Sequence, residues 1–259
     1  MKKKKILIMG LPGSGKTYLA KELIKRIDAV WLNADKVREK FNDWDFSTQG
    51  RLRQARRMKN LADKALNSGK HVVADFICPT AKTRRDFKAD FLIWVDTIKK
   101  GRYKNTNKIF EPPKNYNFRV KTKNAELWSI IILDKIQPYV WKNKKPTAQM
   151  LGRWQPWHQG HQTLFEQVIK KTGQVNIQVR DVHGIDDNPF KFATVKRNIE
   201  KALADFKNRI KISLVPNITN ICYGRGVGYK IEEVVLSKNI QKISATKIRK
   251  KLRKQGKLS

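Results

Sequence analysis

The sequence predicts an α/β protein in two domains, on three observations. Short apolar segments alternate with helical, amphipathic ones along most of the 259 residues. The pattern of strand, tight Gly/Pro turn and helix occurs twice, in KKILIMGLPGSGKTYLA (4–20) and from AQMLGRWQPWHQGH (148–161) onward. Between the two halves, PYVWKNKKPT (138–147) carries prolines and lysines without periodicity, as a linker does. The expected organisation is a first domain over 1–138, a linker over 139–147 and a second domain over 148–259.

The elements follow in order. KKILIMG (4–10) reads as a buried strand and GKTYLAKELIKRI (15–27) as a helix with apolar residues at helical spacing. AVWLNAD (29–35) is a second strand. RLRQARRMKNLADKALNSG (51–69) is a long helix stopped by Gly69. KHVVADFI (70–77) and FLIWVDTI (91–98) are further strands, and AELWSIIILDKI (125–136) closes the half with a helix. Such alternation predicts a parallel sheet with helices on both faces. The second half predicts a strand at AQMLGRW, a helix from His161 to Lys171 and a strand over 174–181. A helix over 192–206, a strand over 209–217 and a basic helix over 244–255 follow, the last with Ser244 as N-cap.

Composition sets the outer limits. Hydrophobic residues make up 40% and charged ones 31%, a soluble globular balance, and no apolar run is long enough to span a bilayer. The apolar N-terminal run is broken by Gly and Pro, which suits a first strand better than a secretion signal. Cys78 and Cys222 are too few and too far apart in sequence for a disulfide framework or a zinc site, so a reducing cytoplasm is expected. The 57 Lys+Arg against 22 Asp+Glu give a formal charge of +35, which attracts phosphate and raises the question of nucleic acid. The basic residues are spread along the whole chain, so a solvated surface is the favoured reading.

Gly10-Leu11-Pro12-Gly13-Ser14-Gly15-Lys16-Thr17 satisfies the phosphate-loop pattern between a strand and a helix. Gly10, Gly13, Ser14 and Gly15 would let backbone N–H groups face an anion. Lys16 would reach the terminal phosphates of ATP, and Thr17 would ligate Mg²⁺. Asp35 and Asp75 stand at the ends of the next two strands, where either could assist Mg²⁺ or take the proton of an acceptor hydroxyl. Residues 4–136 further resemble the adenylylsulfate kinases. That family follows its phosphate loop with Asp-Gly-Asp-Asn-x-Arg, Asp-Arg-x-Glu-Asn and Phe-Ile-Ser-Pro motifs. Asp35 and Arg38 match the second Asp and the Arg of the first motif, Arg51 the Arg of the second, and Phe76, Ile77 and Pro79 the third. The resemblance implies acceptor-binding roles for Arg38, Arg51 and Phe76. Asn33, Ala34 and Lys36 depart from the first motif and Gly50, Arg53 and Gln54 from the second, so the ATP side is kept and the acceptor side altered. Residues 99–113 stand where the family has its lid.

In the second half, Gly152-Arg153-Trp154-Gln155-Pro156 runs into His158-x-Gly160-His161, with Ile243-Ser244-Ala245-Thr246-Lys247-Ile248-Arg249 downstream. This pairing resembles the HxGH nucleotidyltransferases, the prefix being nearest to nicotinamide-mononucleotide adenylyltransferases, and NPF (188–190) adds a further likeness. The resemblance covers about 148–255 and implies a Rossmann-like domain, with Gly152, Arg153, Trp154, Gln155 and Pro156 among its nucleotide contacts. His158 and His161 would stabilise phosphate at a helix start, and Gly160 would allow close backbone approach. Ser244, Thr246 and Arg249 would hold the β- and γ-phosphates, with Mg²⁺ sharing the load. A glycine-rich stretch at 221–233 is either a hairpin or a loop with Arg225 facing phosphate. His183, Asp186 and Asp187 could border an acceptor pocket.

The favoured expectation is a bifunctional enzyme, an ATP-dependent small-molecule kinase fused to a nucleotidyltransferase that releases pyrophosphate. Its cofactors are ATP or another NTP and Mg²⁺, and its partners are small nucleotides and phosphate acceptors. A homo-oligomer is possible, and a membrane is excluded. The rivals are a sulfate-activation enzyme and, less favoured, a polynucleotide-end kinase or nucleic-acid-binding protein. The motifs leave adenylyl against cytidylyl transfer open.

Overall fold

The computed structural model describes residues 2–226 and 228–258. The chain divides into two compact units, Met1–Gln137 and Pro138–Ser259. In the first, β1 (Lys5–Met9), β2 (Ala29–Asn33), β3 (His71–Asp75), β4 (Phe91–Val95) and β5 (Phe118–Val120) form one sheet in the order β2-β3-β1-β4-β5. Every pairing in it is parallel. β1 and β3 are buried at all five positions, so residues 6–9 and 72–74 read as continuous apolar runs rather than alternating ones.

Two cores cover the two faces. Ile6, Ile8, Val73 and Ile93 pack with Leu19 and Leu23 of α1 (Lys16–Ile24) and Ile132 of α6 (Ala125–Ile136). Leu7, Met9 and Val72 pack with Met58 and Ala62 of α3 (Thr48–Asn67) and Phe87 of α4 (Ala81–Phe87). The chain also forms α2 (Ala34–Lys40) and α5 (Lys104–Ile109). The sequence pattern gave no sign of α2, α4, α5 or β5. Each is seven residues or fewer, and α2 buries only Val37 and Arg38, so no apolar stripe develops. β1 lies between β3 and β4, which places a crevice at the carboxyl ends of the strands.

The second unit holds a three-stranded parallel sheet, β6 (Ala148–Gly152), β7 (Val175–Arg180) and β8 (Ile210–Val215), in that order. Its helices are α7 (Gln159–Thr172), α8 (Phe192–Ala202), α9 (Lys238–Gln241) and α10 (Ala245–Lys254). α7 begins two residues before His161, with His158 as its cap, and α8 ends at Ala202 before a short tight turn over 204–209. Ser244 stands at the N-cap position of α10, but its side chain makes no capping hydrogen bond.

Residues 139–147, expected as a linker, are packed on the second unit. The buried amide of Gln174 accepts from the Tyr139 hydroxyl at 2.9 Å and donates to the Lys142 carbonyl at 2.9 Å and to the Thr147 hydroxyl. The Arg209 guanidinium lies 4.0 Å over the Tyr139 ring. The prolines and lysines of this stretch conceal Tyr139 and also Trp141, whose Nε1 donates to Asn143 Oδ1 at 2.8 Å.

Candidate functional site

The phosphate loop curls between β1 and α1 with Gly10, Gly13 and Gly15 all at positive φ. At Gly10 a side chain would collide with the carbonyl oxygen of Val95, so only glycine lets the loop pass beneath β4. Lys16 donates to the Leu11 carbonyl at 2.9 Å. Burial lowers its ammonium pKa to about 8, against the pull of Asp75 and Asp35. Ser14 Oγ is buried without a partner among the described residues, as a cradle built for an anion would leave it.

Asp75, at the end of β3, is the centre of the arrangement. It is 2% exposed and accepts from Thr17 Oγ1 at 2.8 Å, Asn33 Nδ2 at 3.0 Å and Trp31 Nε1 at 2.6 Å. Burial holds its carboxyl above the usual range, and the three donors only partly offset this. Asn33 spends its amide twice, on Asp75 and on capping α2 through the Lys36 amide. As a neutral amide it cannot act as a base. Asp35, one residue into α2, is exposed on the same cleft and accepts no hydrogen bond among the described residues. Sequence reasoning missed Trp31 and Asn33 as partners of Asp75. The available signal was position, since both lie on β2 in register with β3.

The cleft has a volume of about 740 Å³ and runs from the phosphate loop to α3 and α5, within the usual range for a small-molecule site. Arg38, Arg51 and Phe76 all line it. Arg38 is buried and bonds the carbonyls of Asp43 and Asp45 at 2.8 and 3.0 Å, so it shapes the wall. Arg51 bonds the Phe46 carbonyl at 2.8 Å and Thr106 Oγ1 at 3.2 Å, joining α3 to α5. Phe76 packs edge-on against Phe87. Arg102 and Tyr103, which no motif marked, line the mouth.

In the second unit, His158 caps α7 by accepting from the Gly160 amide at 3.1 Å. Its ring stacks on His161 at 3.7 Å between centroids. Burial, with His158 beside it, lowers the His161 pKa to about 3, so this imidazole is neutral at pH 7. His161 Nδ1 is buried without a partner among the described residues. Trp154 and Gln155 are turned into the protein. Trp154 donates to the Gln178 carbonyl at 3.0 Å, and Gln155 exchanges two hydrogen bonds with the Phe190 backbone at 2.8 and 2.9 Å. A side chain at Gly152 would meet the Trp154 ring at 2.7 Å. The Gln155–Pro156 peptide is cis, and Arg153 is exposed.

The distant motif does reach this turn. Arg249 bonds the Gln155 carbonyl, Thr246 Oγ1 at 3.2 Å and Asp187 Oδ2 at 2.8 Å, and is buried. It therefore ties the two motifs together rather than facing an open phosphate site. Asp187 also accepts from Arg253 at 2.8 Å, and the two arginines depress its pKa. Arg225 is exposed in a stretch without regular structure. Among the described residues no group of three or more His, Cys, Asp or Glu is placed to hold a metal by itself.

A family described as an AAA domain matches residues 6–91. No curated protein matches the chain. The chain is similar to the solved APS kinase of Mycobacterium tuberculosis in complex with AMPPNP and APS, at 22% identity and a TM-score of 0.47. That likeness covers 52% of this chain and 98% of the other. It is also similar to a sugar kinase from a Janibacter species, at 14% identity and a TM-score of 0.44 over 52% and 96% of the two chains. A shikimate kinase from Acinetobacter baumannii in complex with shikimate gives 18%, 0.38, 52% and 93%. The first unit is a parallel α/β fold with a phosphate loop between β1 and α1. The chemistry must come from the cleft's own side chains.

Proposed function

We propose that the chain is a transferase with two active units, of which the first moves the γ-phosphate of ATP to a hydroxyl group. The observation that carries this is the cluster of Lys16, Thr17 and Asp75 at the phosphate-loop end of a large cleft. The loop amides and Lys16 hold the polyphosphate. Thr17 donates its proton to Asp75, which leaves its lone pairs free, and hard oxygens of this kind fit Mg²⁺ completed by phosphate and water. Bound there, Mg²⁺ would neutralise charge that develops on the phosphates. With Asp75 committed to Thr17, Asn33 and Trp31, Asp35 is the carboxylate left to accept the hydroxyl proton.

The second unit is read as a nucleotidyltransferase, supported by the closure of the 243–249 segment onto the His158–His161 turn. A neutral imidazole pair at the start of α7 suits hydrogen bonding to phosphate oxygens, and catalysis there is positioning and charge stabilisation. For Arg249 to reach a phosphate it must exchange Asp187 for the ligand.

Product analysis by mass spectrometry with Mg-ATP and a panel of alcohols and phosphomonoesters tests both units. ADP is expected from the alcohols and pyrophosphate from the phosphomonoesters. Asp75→Asn should lower ADP formation by about 10²-fold or more and leave pyrophosphate formation intact. His161→Ala should do the reverse. Loss of both products in both variants would contradict two separate sites.

A further inference from the structure

The mouth of the first unit's cleft has a composition that a small polar acceptor does not need. Tyr18, Phe46 and Tyr103 line the mouth and are 73, 55 and 63% exposed. The loop that carries Phe46 also exposes Phe41 and Trp44. Large rings left in water at this density are costly unless something covers them. Two are braced by cations, with Arg38 4.6 Å over Phe46 and Arg57 4.4 Å over Phe41.

Charge is the second, independent observation. Lys99, Lys100, Arg102, Lys104 and Lys108 are exposed on the segment that leads into and through α5, and no carboxylate lies between 99 and 108. Arg102 lies at the phosphate loop, where a side chain at Gly13 would meet it at 3.6 Å, and Lys99 lies 3.9 Å from Asp96. Lys100, Lys104 and Lys108 add three exposed cations along the same segment. Rings for bases together with a cationic track for phosphates are the pairing used to hold single-stranded nucleic acid.

We infer that the acceptor of the first unit is the terminal hydroxyl of a single-stranded nucleic acid. The inference rests on the phosphotransferase reading above and names its substrate. Bases stack on Phe46 and Tyr103, the strand's phosphates follow the lysines of the α5 segment, and the terminal hydroxyl enters toward Asp35. The γ-phosphorus–oxygen bond of ATP breaks as the bond from the hydroxyl oxygen forms. ADP leaves, and the hydroxyl proton passes to Asp35 and on to water.

The test uses the full chain with saturating Mg-ATP and single-stranded DNA and RNA dodecamers that carry free 5′-hydroxyls. Adenosine and thymidine are offered in parallel. Phosphate is expected on the 5′ end of a dodecamer. If about four strand phosphates are contacted, raising salt from about 50 to about 200 mM should raise the dodecamer KM about 50-fold. Phe46→Ala and Tyr103→Ala, both at exposed rings, should each raise that KM about 10-fold. Lys104→Glu should reduce the logarithmic salt slope by about 1 while circular dichroism is unchanged.

Nucleosides phosphorylated as efficiently as the dodecamers at low salt would overturn the inference and leave the phosphotransferase reading standing. A dodecamer that binds without being phosphorylated would also overturn it as the substrate. ADP from no hydroxyl at all would remove the phosphotransferase reading with it.

Discussion

Two residues carry charges whose pH behaviour follows from where they are buried. Lys16 is held at about pKa 8, so in the free protein it loses its proton within the alkaline working range. The KM for ATP is therefore expected to rise above pH 8. Lys16→Arg, which stays charged, should remove that rise whatever its effect on rate, as initial-rate profiles would show. For His161 the folded pKa near 3 lies below the ordinary 6.5. Between those values the unfolded chain binds the extra proton, so stability falls as pH drops from 6.5 toward 3. Urea titrations of His161→Gln should show a flatter acid limb for the second unit. Sequence reasoning reached both residues through motifs. It did not reach their surroundings, because desolvation depends on neighbours that are distant along the chain.

The apolar elements were legible and the short polar ones were not. The cores of β1 and β3 and most of α6 are apolar, whereas α2 and α5 are polar helices, the first capped by Asn33 and the second joined to α3 by Arg51. The turn between β6 and α7 shows what motif reading adds and where it stops. The motif marked Gly152, Trp154 and Gln155 as nucleotide contacts, yet Trp154 and Gln155 are buried supports of the turn. Gly152→Ala is expected to displace the Trp154 ring and cost about 1–3 kcal/mol by overpacking, read as a lowered midpoint of the second unit's unfolding. Gln155→Leu should cost a comparable amount, because it leaves the Phe190 backbone groups unpaired.

At the scale of the whole molecule, the division at Gln137 has a direct experimental consequence. A fragment of residues 1–137 is expected to bind ATP within about 3-fold of the full chain, since every residue lining its cleft lies inside it. For the second unit the starting residue matters. A fragment that begins at 148 lacks the Tyr139, Lys142 and Thr147 partners of the buried Gln174 amide, and should melt several degrees below one that begins at 138. Neither half contains a helix long and apolar enough to cross a membrane among its described residues.

The bond from Trp31 to Asp75 makes the phosphate site optically visible. An indole whose N–H points at a carboxylate senses that carboxylate's charge, so a divalent cation or a proton reaching Asp75 would change the ring's local field. The chain has seven tryptophans, but a Trp31→Phe difference spectrum isolates this one. Titrating Mg²⁺ with and without nucleotide while following that difference would report occupancy of the site before any acceptor is known.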